Sequence, residues 1–343
     1  MKTHLNTLFV TTDGAYLAKD GQAVVVRVEK ETRLRIPLHN LESIACFGRV
    51  GVSPALMGAC AEAGVSISLH SLHGKFLAAV VGYSPGNVLL RRAQYRAADD
   101  EKRTCEIARS VVLGKLANCR NVLLRTARDS GDTERTERLQ AVAKRLSASV
   151  VEVKAADSAD RVRGLEGEAA VQYFGAMNDL VGSSDRAFQF TKRSRRPPRD
   201  AINALLSLVY TLLLHDVRSA CEAVGLDAAV GFLHRDRPGR PSLALDLMEE
   251  FRPALADRVM LTLVNRGQVS AAGFTTGETG GVTMDDATRK KVLVAWQERK
   301  QEEILHPYLQ ERVNVGLLMH LQARLLARYL RDDIDTYPPM IWK

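Results

Sequence analysis

Three short segments carry carboxylates or an imidazole in settings that a solvated surface does not fully explain. The first is Arg163-Gly164-Leu165-Glu166-Gly167-Glu168. On a helix Glu166 shares a stripe with Ala170, Tyr173 and Met177, which places its carboxylate on a partly apolar face. Glu168 lies about 200° away and faces water. Gly167 costs about 1 kcal/mol there relative to Ala, a cost often tied to close approach of another backbone or a ligand. The bland alternative is a carboxylate favoured by the positive end of a helix. The second segment is Gly231-Phe232-Leu233-His234, followed by a basic loop from Arg235 to Pro241. A lone histidine after an apolar triplet reads either as a structural hydrogen-bonder or as a ligand. In the third, Asp246, Glu249 and Glu250 fall at i, i+3 and i+4 on one helix flank, opposite Leu247, Phe251 and Ala254. Clustered carboxylates repel unless a cation neutralises them, and a solvated acidic face paired with Arg252 is the alternative.

Together the three segments offer oxygen and nitrogen ligands for a hard or borderline divalent metal. No thiolate belongs to the set, which argues against structural zinc. Arginines flank each piece: Arg161 and Arg163, then Arg235, Arg237 and Arg240, then Arg252. Acids that hold a metal, ringed by groups that hold phosphates, point to phosphodiester chemistry. Between the segments runs Arg186, Lys192, Arg193, Arg195, Arg196 and Arg199, interleaved with Phe188 and Phe190 and free of acids. That composition favours a phosphate-binding segment over a solvated loop.

The elements that must position these residues divide the chain. Up to about residue 80 the pattern is of short strands: Asn6–Val10, Tyr16–Leu17, Ala23–Val28, Arg33–Pro37, Leu41–Phe47, Val65–Leu69 and Lys75–Val81. A helix over Ser53–Ala63 interrupts them, capped by Ser53, opened by Pro54 and stopped by Gly64. After Ser84-Pro85-Gly86-Asn87 the periodicity becomes helical, with helices expected over 88–128, 133–153, 159–181, 199–224, 243–266 and 285–331, the first and last broken. Gly273–Gly281 has little to bury and is expected to be a mobile loop; the tail from Asp332, with Pro338-Pro339, is expected to be extended. The fold class is α+β and multidomain: a β-rich domain over 1–84, a linker over 85–98 and an all-helical catalytic domain over 99–343.

Composition agrees with a globular protein, at 46% hydrophobic and 26% charged residues, and excludes wholesale disorder or a coiled-coil rod. Forty-eight Lys and Arg against 40 Asp and Glu give a net charge of +8, which favours an anionic partner. Cys46, Cys60, Cys105, Cys119 and Cys221 are odd in number and widely spaced, unlike a disulfide framework. The start lacks the apolar core of a signal peptide, and Ala204–Leu214 is too short to span a bilayer, so a cytoplasmic protein without membrane contact is expected. No dinucleotide-binding glycine fingerprint, Walker A loop or H-E-x-x-H motif is present.

At these residues the chain resembles a known family along its whole length. It is similar to the universal CRISPR-associated adaptation nuclease and integrase, the first-numbered Cas protein, of a subtype I-C-like kind. The resemblance lies in Leu5-Asn6-Thr7-Leu8-Phe9-Val10, in Gly86-Asn87-Val88-Leu89-Leu90-Arg91-Arg92, and in Arg193-Ser194-Arg195-Arg196-Pro197-Pro198 with Asp200 and Asn203. The elements at 163–167, 231–234 and 246–253 follow in the family's order.

The resemblance implies that Glu166, His234 and Glu249 are catalytic and bind Mn²⁺ or Mg²⁺, with Asp246, Arg252 and Arg163 in support. The helix pattern alone does not separate Glu249 from Glu250. The resemblance also implies a dimerising N-terminal domain and a homodimer. It implies DNA partners: a short duplex with free 3′ ends and a CRISPR repeat target. A small ferredoxin-like second-numbered Cas protein would join it in a heterohexamer. The expected activity is metal-dependent nicking and strand transfer that inserts short DNA into a repeat array. The alternatives are a stand-alone nuclease of branched DNA and a non-catalytic basic DNA scaffold.

Overall fold

The computed structural model describes residues 7–41, 43–72, 76–80, 88–183 and 185–342. The architecture is α+β, with a β-rich N-terminal region followed by a mainly helical one, as the sequence pattern indicates. Two compact units emerge, Met1–Gly86 with Leu293–Glu302, and Asn87–Val292 with Glu303–Lys343.

In the first unit the strands are β1 (Thr7–Val10), β2 (Tyr16–Asp20), β3 (Ala23–Val28), β4 (Glu31–Pro37), β5 (Ser43–Phe47), β6 (Gly51–Val52), β7 (Ser66–His70) and β8 (Phe76–Val80). They form two four-stranded sheets, ordered β4-β3-β2-β6 and β1-β5-β7-β8. β3 turns into β4 through Glu29 and Lys30, both at positive φ (52° and 71°). Two such residues make the hairpin turn whose twist matches that of its strands. Helix α1 (Pro54–Ala63) begins where the Ser53 side chain accepts the Leu56 N–H and ends at Gly64, φ 63°. Leu17, Val24, Ile44, Leu56, Cys60 and Ile67 form its core. The expected strand ends at Asn6, Lys75 and Val81 lie outside the described residues.

The second unit starts with α2 (Val88–Asp99), and Asp100 then caps α3 (Glu101–Arg128) through the Lys102 and Arg103 amides. Next come α4 (Thr133–Ala155), α5 (Ala159–Gly175), α6 (Met177–Leu180), α7 (Ala201–Val224), α8 (Ser242–Phe251) and α9 (Arg258–Asn265). A wider π-helical stretch, Arg252–Asp257, joins α8 to α9. Pro253 lacks the N–H that an α-helix would direct to the Glu249 carbonyl, and the helix widens there. α3 packs against α4, α5 and α8.

The structure corrects several expectations. Of the expected linker, 85–87 lie outside the described residues and 88–98 are helix α2. The unit is not all-helical. The Gly/Thr-rich stretch contributes to an antiparallel hairpin of β9 (Phe274–Thr276) and β10 (Val282–Met284). After α10 (Asp286–Gln301) a second hairpin, β11 (Glu303–Leu305) with β12 (Arg312–Asn314), precedes α11 (Leu318–Leu330). Strands of three residues give no period-2 signal, which hid both. The apolar segment at 204–214 belongs to the longer α7, which by length and composition could cross a bilayer. Its Ile202, Leu205, Leu206, Val209, Leu213 and Val217 are instead fully buried in the protein core.

Candidate active site

The site is built where α3, α5 and α8 meet. Lys115 rises from the apolar face of α3, between Val111 and Cys119 one turn to either side, and is buried. Its ammonium ion-pairs with Glu166 of α5 and stands 2.7 Å from Glu249 Oε2 of α8. Arg252 holds the other Glu249 oxygen at 2.6 Å. Burial opposes charge on Glu249, but Arg252 and Lys115, with His234 adding to them, hold its carboxyl down at about 2. Glu249 is therefore ionised at neutral pH. Its contribution to stability is present above the unfolded value near 4.5 and is lost as pH falls toward 2.

His234 is set by Asp246. That carboxylate, fully buried, accepts the backbone N–H groups of Phe232 (2.6 Å), Leu233 (2.9 Å) and His234 (2.8 Å). The same side chain accepts from His234 Nδ1 at 2.7 Å. With the proton fixed on Nδ1, Nε2 is the nitrogen presented to a ligand. Gly231 is required by this cradle, since a Cβ there would lie 2.8 Å from Asp246 Oδ2 and from the Ser242 backbone. Arg163 braces the loop through the Leu233 carbonyl at 2.9 Å and also pairs with Asp160. His234, Arg163, Arg235, Tyr95 and Phe232 line a cleft of about 510 Å³.

Of the residues singled out in the sequence, Glu166 and Glu249 meet at Lys115, and Asp246 joins His234, but several settings differ from those expected. Asp246, Glu249 and Glu250 are all buried, so the solvated acidic face is overturned. Glu166 flanks the buried stripe Val162, Leu165, Ala169 and Tyr173 instead of lying on it, with a side chain 24% exposed. Glu168 is exposed as expected. Among the described residues, the helix's own backbone aside, nothing lies within 4 Å of where a Cβ on Gly167 would sit, so close approach of another segment does not explain that glycine. Lys115 was missed, although one lysine inside the apolar stripe Val111–Cys119 was the signal for it.

In the basic segment, Arg186, Lys192, Arg195, Arg196 and Arg199 are exposed. Arg193 differs: it is half-buried, bonds Asn203 Oδ1 at 2.6 Å and lies 5.3 Å over the Tyr210 ring. Arg199 reaches the Thr279 carbonyl at 2.5 Å. Phe188 and Phe190 are buried against Phe274 and Phe174, so they are core residues and no stacking platform for bases.

Glu250 points away from Glu249 into a buried pocket, where Tyr337 Oη and the Met340 N–H donate to it at 2.6 Å each. Burial pushes its carboxyl up to about 8, despite donors from Tyr337, Met340 and Gln322 that pull the other way. An acid whose folded pKa is raised makes stability fall as pH rises, here from about 4.5 to about 8. Glu250→Gln, which carries no charge at any pH, is expected to flatten that decline. Urea unfolding of both proteins at several pH values in this window checks it.

A β-rich unit followed by a helical one, whose buried acids and oriented imidazole stand among arginines, defines a protein class suited to phosphodiester cleavage. The profile of the family described as CRISPR associated protein Cas1 matches residues 8–298, and the chain belongs to that family. It is 51% identical over 343 residues to CRISPR-associated endonuclease Cas1 1 of Chlorobaculum tepidum, covering 100% of both chains. A CAS1 protein from Thermotoga maritima shares the fold at a TM-score of 0.81 and 23% identity, over 95% of this chain and 97% of that one. A chain of a Cas6-RT-Cas1–Cas2 complex matches at a TM-score of 0.83 and 24% identity, over 100% of this chain and 36% of that chain. The chain is thus an enzyme, a CRISPR-associated endonuclease, and membership implies dependence on a divalent metal.

The residues fit such an ion. Among the described residues no three His, Cys, Asp or Glu side chains are grouped to hold a metal as they stand. Two carboxylates nevertheless converge on one positive charge, which Lys115 supplies. Glu249 Oε2 is buried and, although 2.7 Å from that ammonium, is not aligned with it for a hydrogen bond. An oxygen short of directed donors, a second carboxylate and an oriented imidazole make a hard-to-borderline donor set.

Proposed function

We propose that the endonuclease nicks DNA and joins DNA ends at a site formed by Glu166, His234 and Glu249, with Mn²⁺ or Mg²⁺ as its ion. The carrying observation is that Glu166 and Glu249 converge on one cation while Asp246 leaves His234 Nε2 available. A divalent cation held by these three residues would supply Lewis-acid polarisation of a phosphate oxygen. Arg163 and Arg235 orient a phosphodiester in the cleft by charge-assisted hydrogen bonds. Asp246 keeps His234 in one tautomer, and Arg252 keeps Glu249 charged. Positioning decides the nucleophile: a bound 3′-OH gives strand transfer and a bound water gives a nick.

The wider reading is an adaptation integrase of a subtype I-C-like kind, inserting short duplexes with free 3′ ends into a CRISPR repeat. It acts as a homodimer through residues 1–84, with the mainly helical unit from α2 onward as the catalytic domain, in the cytoplasm. The named Cas1–Cas2 complex supports a small second-numbered Cas partner, which we place with this chain in a heterohexamer. A strand-transfer assay with purified protein, a short duplex and a repeat-bearing target tests this. Joined product that requires Mn²⁺ or Mg²⁺ supports the reading. Cleavage of branched DNA without joining, even with the partner, favours a stand-alone nuclease, and metal-free binding without cleavage favours a scaffold.

Arg195, Arg196, Arg186 and Lys192 are the exposed cations proposed to bind phosphates. Neutralising Arg195 and Arg196 is expected to weaken binding to all duplex sequences. For every phosphate no longer neutralised, the slope of log affinity against log salt falls by about 0.9. Arg193→Ala is expected to act differently, through folding, since its guanidinium is tied to Asn203 and Tyr210. A binding titration over salt, beside a thermal melt, separates the two effects.

A further inference from the structure

The tail beyond α11 is threaded back into the helical unit. Tyr337 and Met340 are buried, at 2% and 1% exposure. Four buried or half-buried polar side chains hold it. Glu250 accepts from Tyr337 Oη and from the Met340 N–H. Gln322 Nε2 donates to the Pro338 carbonyl at 3.0 Å and to Glu250 Oε2 at 3.0 Å. Asn118 donates to the carbonyls of Met340 (2.8 Å) and Glu250 (2.7 Å) and accepts the Trp342 N–H at 2.7 Å. Asn121 donates to the Trp342 carbonyl at 2.6 Å. Gly114 makes the room, because a Cβ there would come within 2.9 Å of Pro339 and 3.2 Å of Glu250.

These interactions fall on the immediate neighbours of the active-site residues. Gly114 precedes Lys115 on α3, and Glu250 follows Glu249 on α8. On both helices one residue belongs to the ion-paired site and its immediate neighbour in sequence meets the tail. Asn118, one turn past Lys115, ties the tail to the Glu250 backbone, so the tail bridges the two helices where Lys115 and Glu249 meet.

We propose that residues 337–342 are a positioning element of the active site, a clasp that fixes the register of α3 against α8 and thereby the place of Glu249. The inference rests on the proposed role of Glu249, and the test separates the two. Three proteins are compared: the full chain, a chain lacking residues 337–343, and Tyr337→Phe, which removes the hydroxyl that donates to Glu250 and accepts from Gln322 Nε2 at 2.8 Å. Amide hydrogen exchange over Ser242–Phe251, calorimetric Mn²⁺ affinity, and kcat and KM for nicking are measured.

Deletion is expected to speed exchange in α8, weaken Mn²⁺ affinity about tenfold or more and lower kcat about 10²-fold, with KM for DNA unchanged. A peptide of sequence Tyr-Pro-Pro-Met-Ile-Trp-Lys added in trans is expected to restore all three. Tyr337→Phe is expected to move them in the same direction by less, and it decides the matter if the deletion does not fold. Wild-type exchange and Mn²⁺ affinity in the folded deletion, or in Tyr337→Phe should that variant be decisive, overturn the clasp. If the full chain itself takes up no Mn²⁺ while deletion still loosens α8, the metal reading fails and the clasp stands.

Discussion

Glu166→Ala, His234→Ala and Glu249→Gln are each expected to lower DNA nicking and strand transfer by about 10³-fold or more, the scale of losing one group that stabilises transition-state charge. Each removes one donor from a set of three, leaving too few to hold a labile ion. The stability effects differ because the settings differ. Glu166 is partly exposed, and its loss leaves Lys115 with Glu249. Glu249→Ala instead leaves the buried Arg252 without its carboxylate and Lys115 with Glu166 alone, an expected cost of about 3–5 kcal/mol, so Gln, which keeps the shape and a carbonyl acceptor, is the cleaner variant at that position. His234→Ala removes the ring but leaves Asp246 its three backbone donors. Nicking of a supercoiled plasmid in Mn²⁺, with thermal melts alongside, checks all three. Full activity in any one of them removes that residue from the site.

Lys115 carries the second large effect. Burial opposes its charge, but Glu249 and Glu166 together raise its pKa, so it stays protonated at any working pH. Lys115→Met leaves two carboxylates facing one another without the shared cation, and is expected to cost about 3–5 kcal/mol in EDTA. Mn²⁺ should recover much of this, because an ion bound only by the folded state adds about 2.7 kcal/mol at one hundred times its Kd. The rise in melting temperature on adding Mn²⁺ is therefore expected to be larger in Lys115→Met than in the parent. An equal or smaller rise would mean that the lysine and the ion do not compete for the same oxygens.

Much of this was legible in the sequence, and the exceptions have physical causes. Most strands of the first unit were readable because turn residues, Asp20-Gly21 between β2 and β3 for example, bound their short runs, whereas the two-residue β6 and the pairing into two sheets were not. α1 was readable from its Ser-Pro start and glycine stop. The two C-terminal hairpins were not, since three-residue strands carry no period. Asp246, Glu249 and Glu250 share a flank on a helical wheel, yet α8 is buried all round and its carboxylates have three separate tasks. Asp246 orients His234, Glu249 meets Lys115 and Arg252, and Glu250 receives the tail. Apart from the Glu249–Arg252 pair, the interactions that distinguish them are distant in sequence. The same is true of Arg193, whose neighbours Arg195 and Arg196 are exposed while its guanidinium is held by Asn203 and lies over Tyr210.

The most direct test is a crystal soaked in Mn²⁺ and measured at the manganese absorption edge. An anomalous peak is expected between Glu166, Glu249 and His234 Nε2, with the Lys115 ammonium moved out of that position. A peak elsewhere in the protein, or none in crystals of protein that cleaves DNA only when Mn²⁺ is added, would contradict a metal centre on these three residues.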